Sequence, residues 1–166
     1  MAKISHPREL VVAQLARLLY VEEQLVNSIL PELKQTIDDG DLKGGVTLHL
    51  SQTHDHVVNL HKAFELLDEE PKPEKEPALE GLRESHEQTV KQVEGPKLLD
   101  VVHATAIVQT ERLEISSYEA VLALVRNMHL KNDLAHLLEQ NLSDERAALD
   151  LASKTLGQLT TRAAAG

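Results

Sequence analysis

Apolar residues recur in steps of three and four along most of this chain, the spacing that lines one face of a helix. In the first segment they fall at Val12, Ala16, Leu19, Val26, Leu30 and Leu33. A second stripe beside it carries Leu10, Val11, Leu15, Leu18, Leu25 and Ile29. The pattern predicts a helix over 7–37, with Ser5 as N-cap and Pro7 in the first turn, and a kink at Pro31. Asp38-Asp39-Gly40-Asp41 and Gly44-Gly45 read as turn chemistry. A second helix is expected over 46–67, a short polar one over 79–93, and two long ones over 97–128 and 132–159. The tail Thr160–Gly166 lacks periodicity and is expected to fray.

The connections set the topology. The first and second long helices are joined by a short loop, as are the third and fourth, so each pair is an antiparallel hairpin. Between the pairs, residues 68–96 supply enough chain to run the length of a bundle about 30 Å long. Two hairpins joined by one long crossover, here carrying a short extra helix, give an all-α, ferritin-like antiparallel four-helix bundle. One domain over 1–166 is expected.

Each long helix interrupts its apolar stripe near its middle. Glu23 does so on the first and His56 on the second. Glu111 with Glu114 does so on the third, and Glu145 on the fourth. At equal depth in aligned helices these residues share one layer. Four carboxylates cannot lie buried together as bare charges, so protons or cations must compensate them. Two divalent ions balance four glutamates, and carboxylate oxygens with an imidazole suit Fe or Mn, and also Zn. Up to two ions per chain are expected. Gln52, His49 and Tyr118 stand close enough in the pattern to support such ligands. Glu22, on the second stripe, competes with Glu23 for the first helix's place. A metal-free layer held by hydrogen bonds, fixing helix register, is the alternative.

Composition narrows the rest. Aromatics make up 2% of the chain, so the core is built from Leu, Val, Ile and Ala. A net charge of -10 argues against nucleic acid or an anionic membrane as partner. The absence of cysteine excludes disulfides and thiolate metal sites. The first residues, Met1-Ala2-Lys3-Ile4-Ser5-His6-Pro7, hold no apolar leader segment, and no apolar run is long enough for a membrane span. A cytoplasmic protein is expected. The two apolar stripes of the first helix suggest that it also serves a homodimer interface.

Several of these residues form a known order. Leu18-Leu19-Tyr20-x-x-Glu23-Gln24-Leu25, Leu30-Pro31-x-Leu33, His49-Leu50-x-x-Thr53-x-x-His56, Gly81-Leu82, Glu111-x-x-Glu114-Ile115-x-x-Tyr118 and Leu137-Leu138-x-x-x-Leu142-x-x-Glu145 follow one another. Together they resemble the YciE/YciF family of ferritin-like proteins. The resemblance implies a ferritin-like bundle, dimers, a dimetal site and a link to bacterial stress responses. It carries over Glu23, His56, Glu111, Glu114 and Glu145. Ser51 and Gln52 stand where that family usually has glutamates, Arg112 where it often has His, and Leu149 where an acidic residue is common. Ala148 leaves Glu145 without the His of a Glu-x-x-His pair.

Overall fold

In the computed structural model, which describes residues 3–165, every regular element is a helix. Met1, Ala2 and Gly166 lie outside the described residues, and with them the two ends of the expected 1–166 domain. The elements are α1 (Pro7–Gln24), a π-helical segment (Leu25–Ile29), α2 (Leu30–Thr36), α3 (Gly40–Leu66), α4 (Pro77–Val90), α5 (Pro96–Asn127) and α6 (Asn132–Ala164). No helix among the described residues is long and apolar enough to cross a membrane.

α1 starts at Pro7, as expected, but its cap differs. His6, not Ser5, is the cap: its Nδ1 accepts from the Arg8 amide, and Glu9 accepts from the amides of Ser5 and His6. Pro31 does not break the first helix. Its missing N–H and bulky ring cannot fit a regular turn. The preceding segment widens into π geometry instead, the Leu30 amide reaching back to the Leu25 carbonyl.

α3 begins at Gly40 rather than Val46. Asp39 caps it, accepting from the amides of Asp41 and Leu42, and buried Leu42 and Val46 repay the helical glycines with core contacts. Gly44-Gly45 is therefore helix interior, not turn. α6 runs on to Ala164, past the expected end at residue 159. Thr155 and Leu159 are buried, and Arg162 reaches Asp39 at 2.8 Å. Exposed Asp68 and His129, both with positive φ, mark the ends of α3 and α5.

α1 packs on α3 and α5, and α6 packs on α3 and α5, which brings these four around one interior. α4 lies on α5, where His86 Nε2 and His103 Nδ1 are 2.9 Å apart. The crossover lies along α1: the Glu74 amide donates to the Ala16 carbonyl, and Tyr20 donates to Glu80. Val11, Leu15, Leu18 and Leu25 are all buried within the chain. Much of the second stripe of the first helix is thus covered within the chain itself.

The interior is two apolar clusters rather than one. Residues 11–19 of α1, 60–64 of α3, 118–125 of α5 and 134–142 of α6 meet in the first. Val21, Leu25 and Leu30 meet Leu42, Val46, Ile107 and Ala152 in the second. Along α3, α5 and α6 the residues between the clusters are polar and buried: His49, Thr53 and His56; Glu111 and Glu114; Glu145. Glu22 lies at the matching depth on α1.

A buried carboxylate and histidine cluster

Two groups of side chains converge in this polar layer. His49, Glu111, Glu114 and Glu145 each offer one ligand atom within 4.8 Å of the others; so do Glu22, His56 and Glu145. Glu145 belongs to both groups. All six residues are buried, with Glu22, Glu114 and Glu145 at 0% exposure.

The first helix contributes Glu22, not Glu23. Glu23 is half-buried and joins neither group. The inward stripe is Val11, Leu15, Leu18, Glu22 and Leu25, which outweighs the stripe through Val12 and Val26 in buried side-chain bulk. One position moves the carboxylate about 100° around the helix. His49, expected beside the ligands, stands among them: Nε2 is 3.3 Å from Glu111 and 3.7 Å from Glu145. His56, Glu111, Glu114 and Glu145 are brought together as the pattern suggests. Gln52 is half-buried and lines a cavity with His49 and Glu111, while Arg112 is exposed.

A hydrogen-bonded chain holds one side of the cluster. Tyr118 donates to Glu22 Oε1 at 2.5 Å. Asn141 donates to the Tyr118 hydroxyl at 2.9 Å and to the His56 carbonyl, and Asn59 donates to Asn141. Asn141 and Asn59 were not evident as site residues. Asn141 had a signal, a polar residue on the α6 stripe one turn before Glu145. Asp144, half-buried and 3.4 Å from His56 Nε2, had none, because it lies off that stripe.

The electrostatics follow from depth. Burial pushes the Glu111 and Glu114 carboxyls well above the usual range, and the Glu145 charge adds to the effect. Burial also raises Glu22, against the pull of His56. Burial lowers His49. Burial would lower His56 as well, but the carboxylates of Glu145 and Glu22 reverse this and push it up to about 11. Burial alone would raise Glu145, yet the neighbouring His56 holds it below its ordinary value. Without metal, then, His56 and Glu145 form the ion pair, and protons neutralise the other carboxyls. Their contact, His56 Nδ1 to Glu145 Oε1 at 2.8 Å, lies off hydrogen-bond alignment and is held by charge.

The donor set fits a divalent cation. Both oxygens of Glu114, both ring nitrogens of His49 and one oxygen each of Glu22 and Glu111 are buried without a hydrogen-bond partner. Buried polar atoms are normally paired, and each orphan is costly. One ligand atom from each of these residues lies within 4.8 Å of the others in its group, where a cation would supply the missing partner. Oxygen with imidazole favours Fe, Mn or Zn over softer metals.

The chain belongs to the family described as a domain of unknown function, DUF892, whose model matches residues 6–165. No match was found among curated proteins. Among solved structures, YcfI, a proposed structural protein from Rhodopseudomonas palustris, is similar with a TM-score of 0.87 and 25% identity. That match covers 91% of this chain and 95% of YcfI. The E. coli stress protein YciF matches with a TM-score of 0.87 and 21% identity, over 95% of this chain and 99% of YciF. The expected likeness to the YciE/YciF family is therefore borne out, and the all-helical fold with it.

Proposed function

We propose that this protein is a ferritin-like metal-binding protein, with a dimetal carboxylate centre inside a four-helix bundle formed by α1, α3, α5 and α6. One ion would be held by His49, Glu111, Glu114 and Glu145, and the second by Glu22, His56 and Glu145, with Glu145 between them. This arrangement departs from the expected ligand set in two places: Glu22 replaces Glu23, and His49 supplies a second imidazole. The observation that carries the reading is the convergence of unpartnered buried oxygens and nitrogens from four helices on one place. Charge supports it, since two divalent ions neutralise four glutamates and release the protons that burial otherwise retains. Fe and Mn are the favoured ions. The description of YciF as a stress protein supports a role in stress.

Metal analysis of protein purified without chelator tests this directly. About two equivalents of Fe, Mn or Zn per chain are expected after loading. No retained metal, before or after Fe(II) loading, contradicts it.

A second reading has an observation of its own. The His56–Glu145 pair with protonated neighbours is a self-consistent metal-free layer, and YcfI is described as a proposed structural protein. On that reading the layer fixes helix register, and Glu114→Gln leaves the melting temperature unchanged or raised, with no response to metal. A metal-dependent rise in Tm that Glu114→Gln abolishes decides against it.

A further inference from the structure

The two halves of the cluster differ in what lies beside them. A cavity of about 70 Å³ opens between α3 and α6, and its floor is His49 and Glu111. His49 is 5% exposed and both its ring nitrogens lack partners. Two small residues give the cavity its room. A Cβ added at Gly45 would stand 3.5 Å from Leu151 Cδ2, across the opening. Ala148 follows Glu145 by three residues, so it occupies the same face one turn along. A larger side chain there would fill the space beside the His49 group. A second cavity, of about 40 Å³, reaches Glu111 from the α4 side of α5 and shares Ile107 as a wall. Neither cavity is lined by Glu22 or His56, which are 0% and 1% exposed.

We propose that the His49, Glu111, Glu114 and Glu145 position is open to a small uncharged ligand entering between α3 and α6, whereas the Glu22, His56 and Glu145 position is closed. The inference rests on the metal-centre reading for what the ligand meets, but the cavity itself does not depend on metal. The chemistry of the wall sets the ligand class. Leu42, Val46, Ile107 and Ala152 are apolar, and the neutral polar groups on the wall are Gln52 and Thr155. A charged guest would lose its hydration against these apolar side chains, and an anion would also face the Glu111 carboxyl. Asp41 on the lining and the net charge of -10 act against anions in particular. The volume admits a few heavy atoms, since one water needs roughly 10–15 Å³ on this scale. Sites of this kind, apolar with a few convergent polar groups at the end, are where small ligands bind.

Xenon tests the cavity on the protein as purified, because it enters apolar cavities of roughly 150 Å³ and most of this lining is apolar. Crystals pressurised with xenon are expected to show an atom between α3 and α6, next to His49. Ala148→Leu is expected to remove that atom while leaving metal content at the wild-type value. Gly45→Val, across the opening, is expected to do the same should Ala148→Leu fail to fold. No xenon there in the wild type, or xenon retained in both variants, overturns the proposal. The asymmetry has its own readout. In protein first shown to hold two Fe(II) per chain, nitric oxide is expected to give one adduct per chain by electron paramagnetic resonance, lost in Ala148→Leu. Two adducts per chain, or none, overturn it. A protein that takes up xenon but holds no iron instead refutes the dimetal reading and leaves the cavity standing.

Discussion

Glu22 and Glu23 are neighbours in sequence with opposite surroundings. Glu22 is fully buried against His56 and Tyr118; Glu23 is half-buried and belongs to neither side-chain group. Their substitutions should therefore separate cleanly. Glu22→Gln is expected to lower bound metal from about two ions per chain to about one, because it removes an anionic ligand from the three-residue group. Glu23→Gln is expected to leave both ions in place. Metal analysis of the two variants checks this, and equal losses would contradict the assignment. The choice between the two glutamates was not legible from periodicity, since α1 carries apolar residues on two adjacent stripes. Packing on α3 and α5 on one side, and the crossover through Glu74 and Tyr20 on another, decide which stripe faces inward. His56, Glu111, Glu114 and Glu145 were legible, because α3, α5 and α6 each have one clear apolar stripe for a charged residue to interrupt.

The helices themselves were evident in the sequence, and their ends less so. Gly44-Gly45 reads as a turn by local chemistry, yet the Asp39 cap and buried Leu42 hold it helical. Tertiary burial outweighs a cost of roughly 1 kcal/mol per helical glycine. Gly44 has open space where a Cβ would go. Gly44→Ala is accordingly expected to stabilise the protein by about 1 kcal/mol, a rise in Tm of roughly 2–4 °C for a chain of this size. Calorimetry checks it, and a fall in Tm would show that the glycine is needed where it stands. The crossover offers a second test. Tyr20→Phe removes the bond to Glu80 and is expected to cost about 1 kcal/mol without altering metal content, since Tyr20 lies outside the cluster. Pro31 points the same way: the sequence announces an irregularity there, and the fold meets it with a π-helical segment rather than a break.

At the scale of the molecule, the polar layer divides two apolar clusters, and its protonation ties stability to pH. In the metal-free protein Glu22, Glu111 and Glu114 keep their protons to higher pH than the ordinary 4.5, and His56 keeps its proton up to about 11. Above pH 4.5 the folded state therefore holds more protons from these groups than the unfolded chain. Their stabilising contribution is present at low pH and is lost as pH rises. Glu145 and His49, both lowered, act in the opposite sense at acid pH. On the proposed function, metal would replace the retained protons, so its binding is expected to strengthen as pH rises. Chelator-treated protein is expected to lose Tm between about pH 5 and about pH 9, while the increment given by Mn(II) grows over the same range. Thermal scans across pH check both trends. A metal-free slope unchanged in the combined Glu111→Gln and Glu114→Gln variant would assign the effect to surface charge instead.

On the proposed function, α1, α3, α5 and α6 bring their ligands together around two ions. Anomalous-difference maps from crystals loaded with Fe(II) or Mn(II) test it most directly. Two peaks about 3.5–4 Å apart are expected, the usual spacing of paired metals. One should lie among His49, Glu111, Glu114 and Glu145, the other between Glu22 and His56, with Glu145 touching both. No peak in this layer, or a peak held by Glu23, would contradict it.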